Sequence, residues 1–300
     1  MLIFFEEKDV CMKKTLVILI LIVMTLSVLG GCKKVDNKSI TLVSREDGSG
    51  TRGAFVDLFK IEEEVKGHTY DRTYERAEIT NSTSVMMTTI AGDANAIGYI
   101  SLGVLNSTVK ALKINGVEAN EENIKSGKYN IVRQFNIVVK DDLSQVAKDF
   151  IDYIMSKEGQ EIVSKERYVS IKIKEYDSKK PKGRISIAGS SSVAPLMEAL
   201  VEEYKKVNEN AVIELQQNDS TTGINSTIEG ICDIGMSSRE LKDKELRSGI
   251  KSIPIARDGI VVIINNSNKI NSLDEDSVRK IFTGEIKSWN SVKQLEGRIN

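Results

Sequence analysis

Three short stretches place hydroxyl groups and glycine where a strand gives way to a helix. The first is Ser44–Arg52, SREDGSGTR, after the alternating run ITLV and before AFVDLF. The second is ISIAGSSS, before VAPLMEAL, and the third is VIELQQNDSTTG. A helix start presents unpaired backbone N–H groups and the positive end of the helix dipole, and both favour an anion. Serine and threonine add donors there without adding charge. In open α/β sheets ligands sit beyond the carboxyl ends of the strands. Three such ends facing one cleft would replace much of the water around a small tetrahedral oxyanion. Arg45 adds a planar fork of donors suited to that ligand, and Asp47, two residues on, is placed to hold the guanidinium. Each turn taken alone also reads as an ordinary N-cap, and Arg45 with Asp47 as an exposed pair of small energetic worth. The repetition of clustered hydroxyls favours the anion.

Other chemistries find little material. GSGTR lacks the Gly-Lys-Ser/Thr ending of a nucleotide-binding P-loop. His68 is the only histidine, which leaves no source for a Ser–His triad or a histidine zinc site. Asp274 and Asp276 fall at a helix start and read as complements to its dipole. Trp289 reads as a packing residue. No catalytic residue, metal site or cofactor is expected.

The elements that must position these turns alternate. ITLVS, AIGYISL, KALKING, FNIVVK, ISIAG, VIELQQ and GIVVIINN read as strands. GAFVDLFKIEEEV, the segment after ITNSTS, SQVAKDFIDYIMS, VAPLMEALVEEYKKV and TGINSTIEG read as helices. In VAPLMEALVEEYKKV the apolar residues Val193, Leu196, Met197, Leu200 and Tyr204 share one face. SLDEDSVRKIFTG opens with Ser272 and carries Glu275 three residues on, the pattern of a capping box. The segment 174–183, KEYDSKKPKG, reads as a linker. This alternation predicts an α/β protein with largely parallel sheets.

The chain has 300 residues, enough for two modest domains, with 42 basic and 43 acidic residues and a net charge of −1. Nucleic-acid binding is not expected without a basic excess. Met12-Lys13-Lys14 followed by the apolar TLVILILIVMTLSVL reads as a secretory signal, with Met12 the start and MLIFFEEKDVC outside its grammar. LGGC, ending at Cys32, resembles a bacterial lipoprotein box, which implies cleavage before Cys32 and a lipid on its sulfur; a plain membrane anchor is the alternative. Residues 1–31 are therefore expected to be signal and 32–37 a tether. Cys11 and Cys32 fall in the signal region, so Cys232 alone remains and no disulfide is expected within the mature domain.

Longer motifs then carry a family resemblance. SREDGSGTRGAF, NSTSVMMTTIAGDANAIGYISLG, ENIKSGKYNIVRQF, GSSSVAPLMEAL, DIGMSSREL, DGIVVIINNSN and IFTGEIKSWNSV resemble the phosphate-binding proteins of bacterial phosphate ABC transporters (PstS), with a weaker stretch near residues 61–76. The resemblance implies a two-lobed periplasmic-binding-protein (type II) fold that closes on its ligand by hinge motion. The order differs from the family pattern: the segment like GSSSVAPL begins that pattern, and here SREDGSGTR comes first. This reads as a circular permutation joined through 174–183; a truncated tandem gene or a swap between two chains is the alternative. One lobe is expected at 111–266 and the other from 38–110 with 267–300, with crossings near Val109–Ala111 and Ile264–Ser267.

Carried over position by position, the resemblance implies phosphate contacts from Ser191 and the backbone N–H of Ser192, from Ser220, and from Arg45, Ser49, Gly50 and Thr51, with Asp47 as the arginine's support. Ser238 stands where some members carry an aspartate that accepts the ligand's proton. The expected function is a lipid-anchored, extracytoplasmic, monomeric protein that passes inorganic phosphate to permease subunits in the membrane. Binding of another oxyanion such as sulfate or molybdate, or an anion-dependent surface sensor or adhesin, is the alternative.

Overall fold

The computed structural model describes residues 39–296; the expected signal 1–31, the tether 32–37 and the lipidation site Cys32 lie outside the described residues. Strand β1 (Thr41–Arg45) leads into helix α1 (Gly50–Leu58), and an exposed hairpin follows, β2 (Glu62–Val65) with β3 (His68–Asp71). β4 (Glu78–Thr80) precedes α2 (Thr83–Gly92), and then come β5 (Ala96–Ser101), the short β6 (Lys110–Ala111) and β7 (Lys113–Ile114), and α3 (Glu121–Lys125). β8 (Val132–Val139) is followed by α4 (Gln145–Ile154) and α5 (Lys157–Lys165). Two strand–helix pairs follow: β9 (Gly183–Ser190) with α6 (Ala194–Val207), and β10 (Ala211–Asn218) with α7 (Ser220–Glu229). β11 (Ile234–Ser237), α8 (Asp243–Leu246), the long β12 (Lys251–Ile264), β13 (Ser272–Leu273), α9 (Glu275–Phe282) and α10 (Trp289–Glu296) complete the described chain. Among the described residues no helix is long and apolar enough to cross a membrane.

One nine-stranded sheet runs β10-β9-β11-β8-β12-β5-β1-β4, with β6 also beside β12. β9, β10 and β11 are parallel to one another, as are β1, β4 and β5. Between the two groups lie three antiparallel pairings, β11–β8, β8–β12 and β12–β5. The two parallel groups therefore run in opposite directions, and the carboxyl ends of each point toward the other.

Two aliphatic cores form on either side of this crossing. The first gathers residues from Leu42 to Ile131 and from Ile260 to Val292. The second gathers Phe135 to Tyr168, Ile185 to Met236, and Ile255 with Ala256. The chain thus passes between lobes at about Arg133 and Asp258, not at Val109–Ala111 and Ile264–Ser267 as the sequence suggested. The reason is local pairing: Ala111 pairs with Ile263, and β7 pairs with β13, so residues 109–131 stay on the first lobe. Val193, Leu196, Met197, Leu200 and Tyr204 are all fully buried against the second core, as their spacing requires.

Three details refine the sequence reading. The expected linker 174–183 has no regular structure up to Lys182, β9 beginning at Gly183, and it is not free of packing: Asp149 accepts from Tyr176 Oη, Ser178 Oγ and the Lys179 N–H. Asp274, not Ser272, caps α9, accepting from the Ser277 N–H at 2.6 Å, because Ser272 is drawn into β13. Trp289 is buried and donates from Nε1 to the Asn95 carbonyl, a packing role. The Ile40 N–H donates to the Lys287 carbonyl at 2.9 Å, so the segment entering β1 lies beside the loop before α10.

Candidate functional site

The three expected turns do meet, and a fourth joins them. α1 begins at Gly50 behind the end of β1, α6 at Ala194 behind β9, and α7 at Ser220 behind β10. α2, beginning at Thr83 behind β4, supplies the fourth helix start. Arg45, Ser49, Thr51, Thr83, Ser190, Ser191, Ser192, Ser220 and Ser238 are all buried. They come from both lobes, and hydrogen bonds cross between them. Arg45 Nη2 donates to Ser191 Oγ at 3.1 Å, and Thr51 Oγ1 lies 2.7 Å from Ser192 Oγ. Thr83 Oγ1 lies 3.2 Å from Ser192 Oγ and 3.5 Å from Ser191 Oγ. Within the second lobe Ser190 Oγ donates to Ser238 Oγ at 2.9 Å, and Ser220 Oγ lies 3.3 Å from Ser238 Oγ. A hydroxyl rotor can exchange such a partner for a ligand oxygen with little movement of its carbon frame.

Gly50 is placed where a side chain would enter this cluster. A Cβ built on it would lie 2.7 Å from Ser238 Oγ and closer still to Ser220 Oγ. The Gly48 carbonyl accepts from both the N–H and the hydroxyl of Thr221, at 3.2 and 3.1 Å, a further tie across the cleft. Some hydroxyls serve as caps as well. Ser49 accepts from the Arg52 N–H, and the Ser192 N–H donates to Ser190 Oγ.

Arg45 is set by what lies behind it. Tyr99, stacked on Phe55 with ring centres 3.9 Å apart, accepts from the Arg45 N–H and bonds Ser44 Oγ at 2.8 Å. Burial pushes the Tyr99 hydroxyl up to about 12, so it keeps its proton at neutral pH and serves both partners. The guanidinium is held by Glu46, which accepts from Nε and Nη2, each at 2.8 Å. Asp47 does not support it. Its carboxylate is 95% exposed and pairs instead with Arg52, at 2.6 Å from Nη1. The turn after β1 sends residue 47 outward, while the longer Glu46 side chain folds back along Arg45. An exposed pair contributes roughly 0–1 kcal/mol. Asp47→Ala is accordingly expected to change affinity for the expected oxyanion by no more than about two-fold by calorimetry; a loss of the size expected for Arg45 variants would restore Asp47 as its support.

Sequence reading missed Glu46, Thr83 and Ser190. NSTS before α2 repeats the hydroxyl-rich helix start of the other turns, which was signal enough for Thr83. Glu46 left no such signal, because two adjacent carboxylates follow Arg45 and the backbone path chooses between them. Among the described residues no group of histidine, cysteine or carboxylate side chains is arranged to hold a metal. Cys232 is buried, and burial raises its thiol.

This geometry has known relatives. The family model of the PBP superfamily domain matches residues 33–158 and 175–299. The chain is 50% identical over 278 residues to phosphate-binding protein PstS 2 of Streptococcus agalactiae serotype V, covering 90% of this chain and 95% of that one. The chain belongs to the PstS family, within the PBP superfamily. It is also 41% identical over 263 residues to PstS 2 of Streptococcus pneumoniae serotype 4, covering 87% and 90%. A crystal structure of a phosphate ABC transporter, phosphate-binding protein from S. pneumoniae TIGR4 superposes with a TM-score of 0.67, at 41% identity, over 85% of this chain and 99% of that one. The two-lobed α/β architecture is thus that of the family.

Proposed function

We propose that this chain is an extracytoplasmic phosphate-binding protein that delivers inorganic phosphate to the permease of an ABC transporter. It is a binding protein and not an enzyme. The observation that carries this reading is the convergence of four helix starts and a buried arginine, from both lobes, on one cluster of hydroxyls. Uncharged donors and helix dipoles bind a phosphate without a metal, and Arg45 supplies a full positive charge. Closure of the lobes on the ligand completes the shell, and opening releases it.

Cys32 would carry the lipid that holds the mature chain, a monomer, to the outer face of the membrane. The half-order reads as permuted relative to other branches of the family. The family model matches in two separate segments, as exchanged halves would give, and the bond between Ile40 and Lys287, which brings the segment before β1 near the last elements of the described chain, fits such a joining.

Titration of purified protein with phosphate and with sulfate at pH 6 and pH 8 tests the reading. None of the hydrogen bonds within the hydroxyl cluster involves a carboxylate, and Glu46 is occupied by Arg45. Phosphate should bind at both pH values, with sulfate weaker but measurable, because Ser238 accepts a ligand proton without repelling a fully ionised anion. Absence of phosphate binding sinks the assignment; strict rejection of sulfate would show that a carboxylate does face the ligand. Tighter sulfate than phosphate would favour the other-oxyanion reading.

A further inference from the structure

A second buried arginine lies behind the site, at the crossing between the lobes. Arg133 on β8 and Asp258 on β12 are direct cross-strand partners, with side chains 3% and 0% exposed. Arg133 Nε and Nη2 both donate to Asp258 Oδ2, at 3.0 and 2.9 Å. Asp258 Oδ1 accepts from Ser101 Oγ at 2.7 Å, at the end of β5 in the first lobe. The third edge of the guanidinium points into the second lobe: Nη1 donates to the Ser238 carbonyl at 3.2 Å. Its flat face lies over Phe135, 5.1 Å from the ring centre.

The pair is not there for stability alone. Burial pushes the Asp258 carboxyl up and the Arg133 guanidinium down, and their pairing opposes both shifts. A buried ion pair of this kind is often no more stable than an apolar pair of similar volume. What an apolar pair lacks is a donor for the Ser238 carbonyl. Ser238 is where three of the site's bonds meet: its hydroxyl accepts from Ser190 and lies near Ser220, and its N–H donates to Ser220 Oγ at 3.1 Å.

Resting on the phosphate reading above, we infer that Arg133 is a positioning residue for the anion site, acting through the Ser238 carbonyl to set the Ser238 hydroxyl. It does not touch the ligand. By holding Ser101 of one lobe through Asp258 and Ser238 of the other directly, it sets that hydroxyl relative to the hinge. Lysine keeps the charge but cannot serve both Asp258 and the Ser238 carbonyl with one planar fork.

The experiment is a double-mutant cycle on the purified full chain, with inorganic phosphate titrated calorimetrically. Arg133→Lys is expected to weaken phosphate by about 10-fold in the native background, and by less than about 3-fold when Ser238→Ala is already present. Equal losses in the two backgrounds overturn the inference, because Arg133 would then act independently of Ser238. A second variant covers a failure of Arg133→Lys to fold. Arg133→Met with Asp258→Leu removes the ion pair while keeping apolar volume. It should retain the melting temperature and still lose about 10-fold in affinity; a stable double variant that binds phosphate as the native protein does overturns the inference. The native chain is titrated alongside. If it takes no phosphate, the functional reading itself has failed, and this inference falls with it.

Discussion

Arg45→Ala is expected to weaken phosphate binding by at least ~100-fold, about 2.8 kcal/mol at 1.4 kcal/mol per decade. Two effects act in the same direction. Charge-assisted hydrogen bonds contribute roughly 1.5–3 kcal/mol each, and Arg45 is the cation bonded directly to the hydroxyl cluster, at Ser191. Its removal also leaves Glu46, now relieved of both guanidinium bonds, beside the anion. The second effect can be separated from the first. Arg45→Ala with Glu46→Gln should recover part of the loss, on the order of 1 kcal/mol, by removing the stranded charge. Calorimetry of the three proteins checks this. Native affinity in Arg45→Ala would mean that the guanidinium does not face the ligand.

Gly50→Ala should abolish measurable phosphate binding while leaving the fold as stable as before. Alanine at a helical position is favoured over glycine by about 1 kcal/mol, so the isolated first lobe has no reason to suffer. The added methyl meets Ser220 and Ser238, both on the other lobe, inside ordinary contact distance. Opening the lobes relieves that contact; closing them on a ligand restores it. The variant is thus expected to melt at or above the native temperature, to show no heat with phosphate, and to stay expanded in solution scattering when phosphate is added. Native affinity would place Gly50 outside the ligand shell. A fall in melting temperature without phosphate would mean that the contact lies inside one packed unit.

These two residues mark how much of the site was legible. Both lie in SREDGSGTR, where the change from an alternating strand to a helix start showed in the residue types themselves. The same pattern exposed the turns that hold Ser191, Ser192 and Ser220; the family resemblance implied those residues one by one and added Ser238. The partner of Arg45 was read wrongly because Glu46 and Asp47 are equivalent in a linear pattern. Whether a carboxylate folds back along a guanidinium or points to solvent depends on turn dihedrals that residue types do not specify. The lobe boundary was misplaced for a similar reason. Strands β6 and β7 are two residues each, too short for a periodic signal, and their pairing with β12 and β13, together with burial of Leu112, Ile124, Tyr129 and Ile131 in the first core, keeps residues 109–131 on the first lobe.

The Arg133–Asp258 pair lay furthest from reach. Its members stand on paired strands 125 positions apart, and each has other polar residues beside it, Gln134 and Asn136 after Arg133 and Arg257 before Asp258, so nothing local pairs them. Sequence alone determined most of the alternating elements, the hydroxyl-rich helix starts and the aliphatic faces, because each follows from neighbours within a turn or two of chain; it did not show that the helix read over GAFVDLFKIEEEV ends at Leu58 and gives way to the β2–β3 hairpin, nor the antiparallel pairings at the centre of the sheet. Only the tertiary structure decided which carboxylate holds which arginine, where the lobes divide, and that α2 brings Thr83 to the same cluster. Those outcomes depend on sheet register and strand direction, which are set by contacts between segments far apart in the chain.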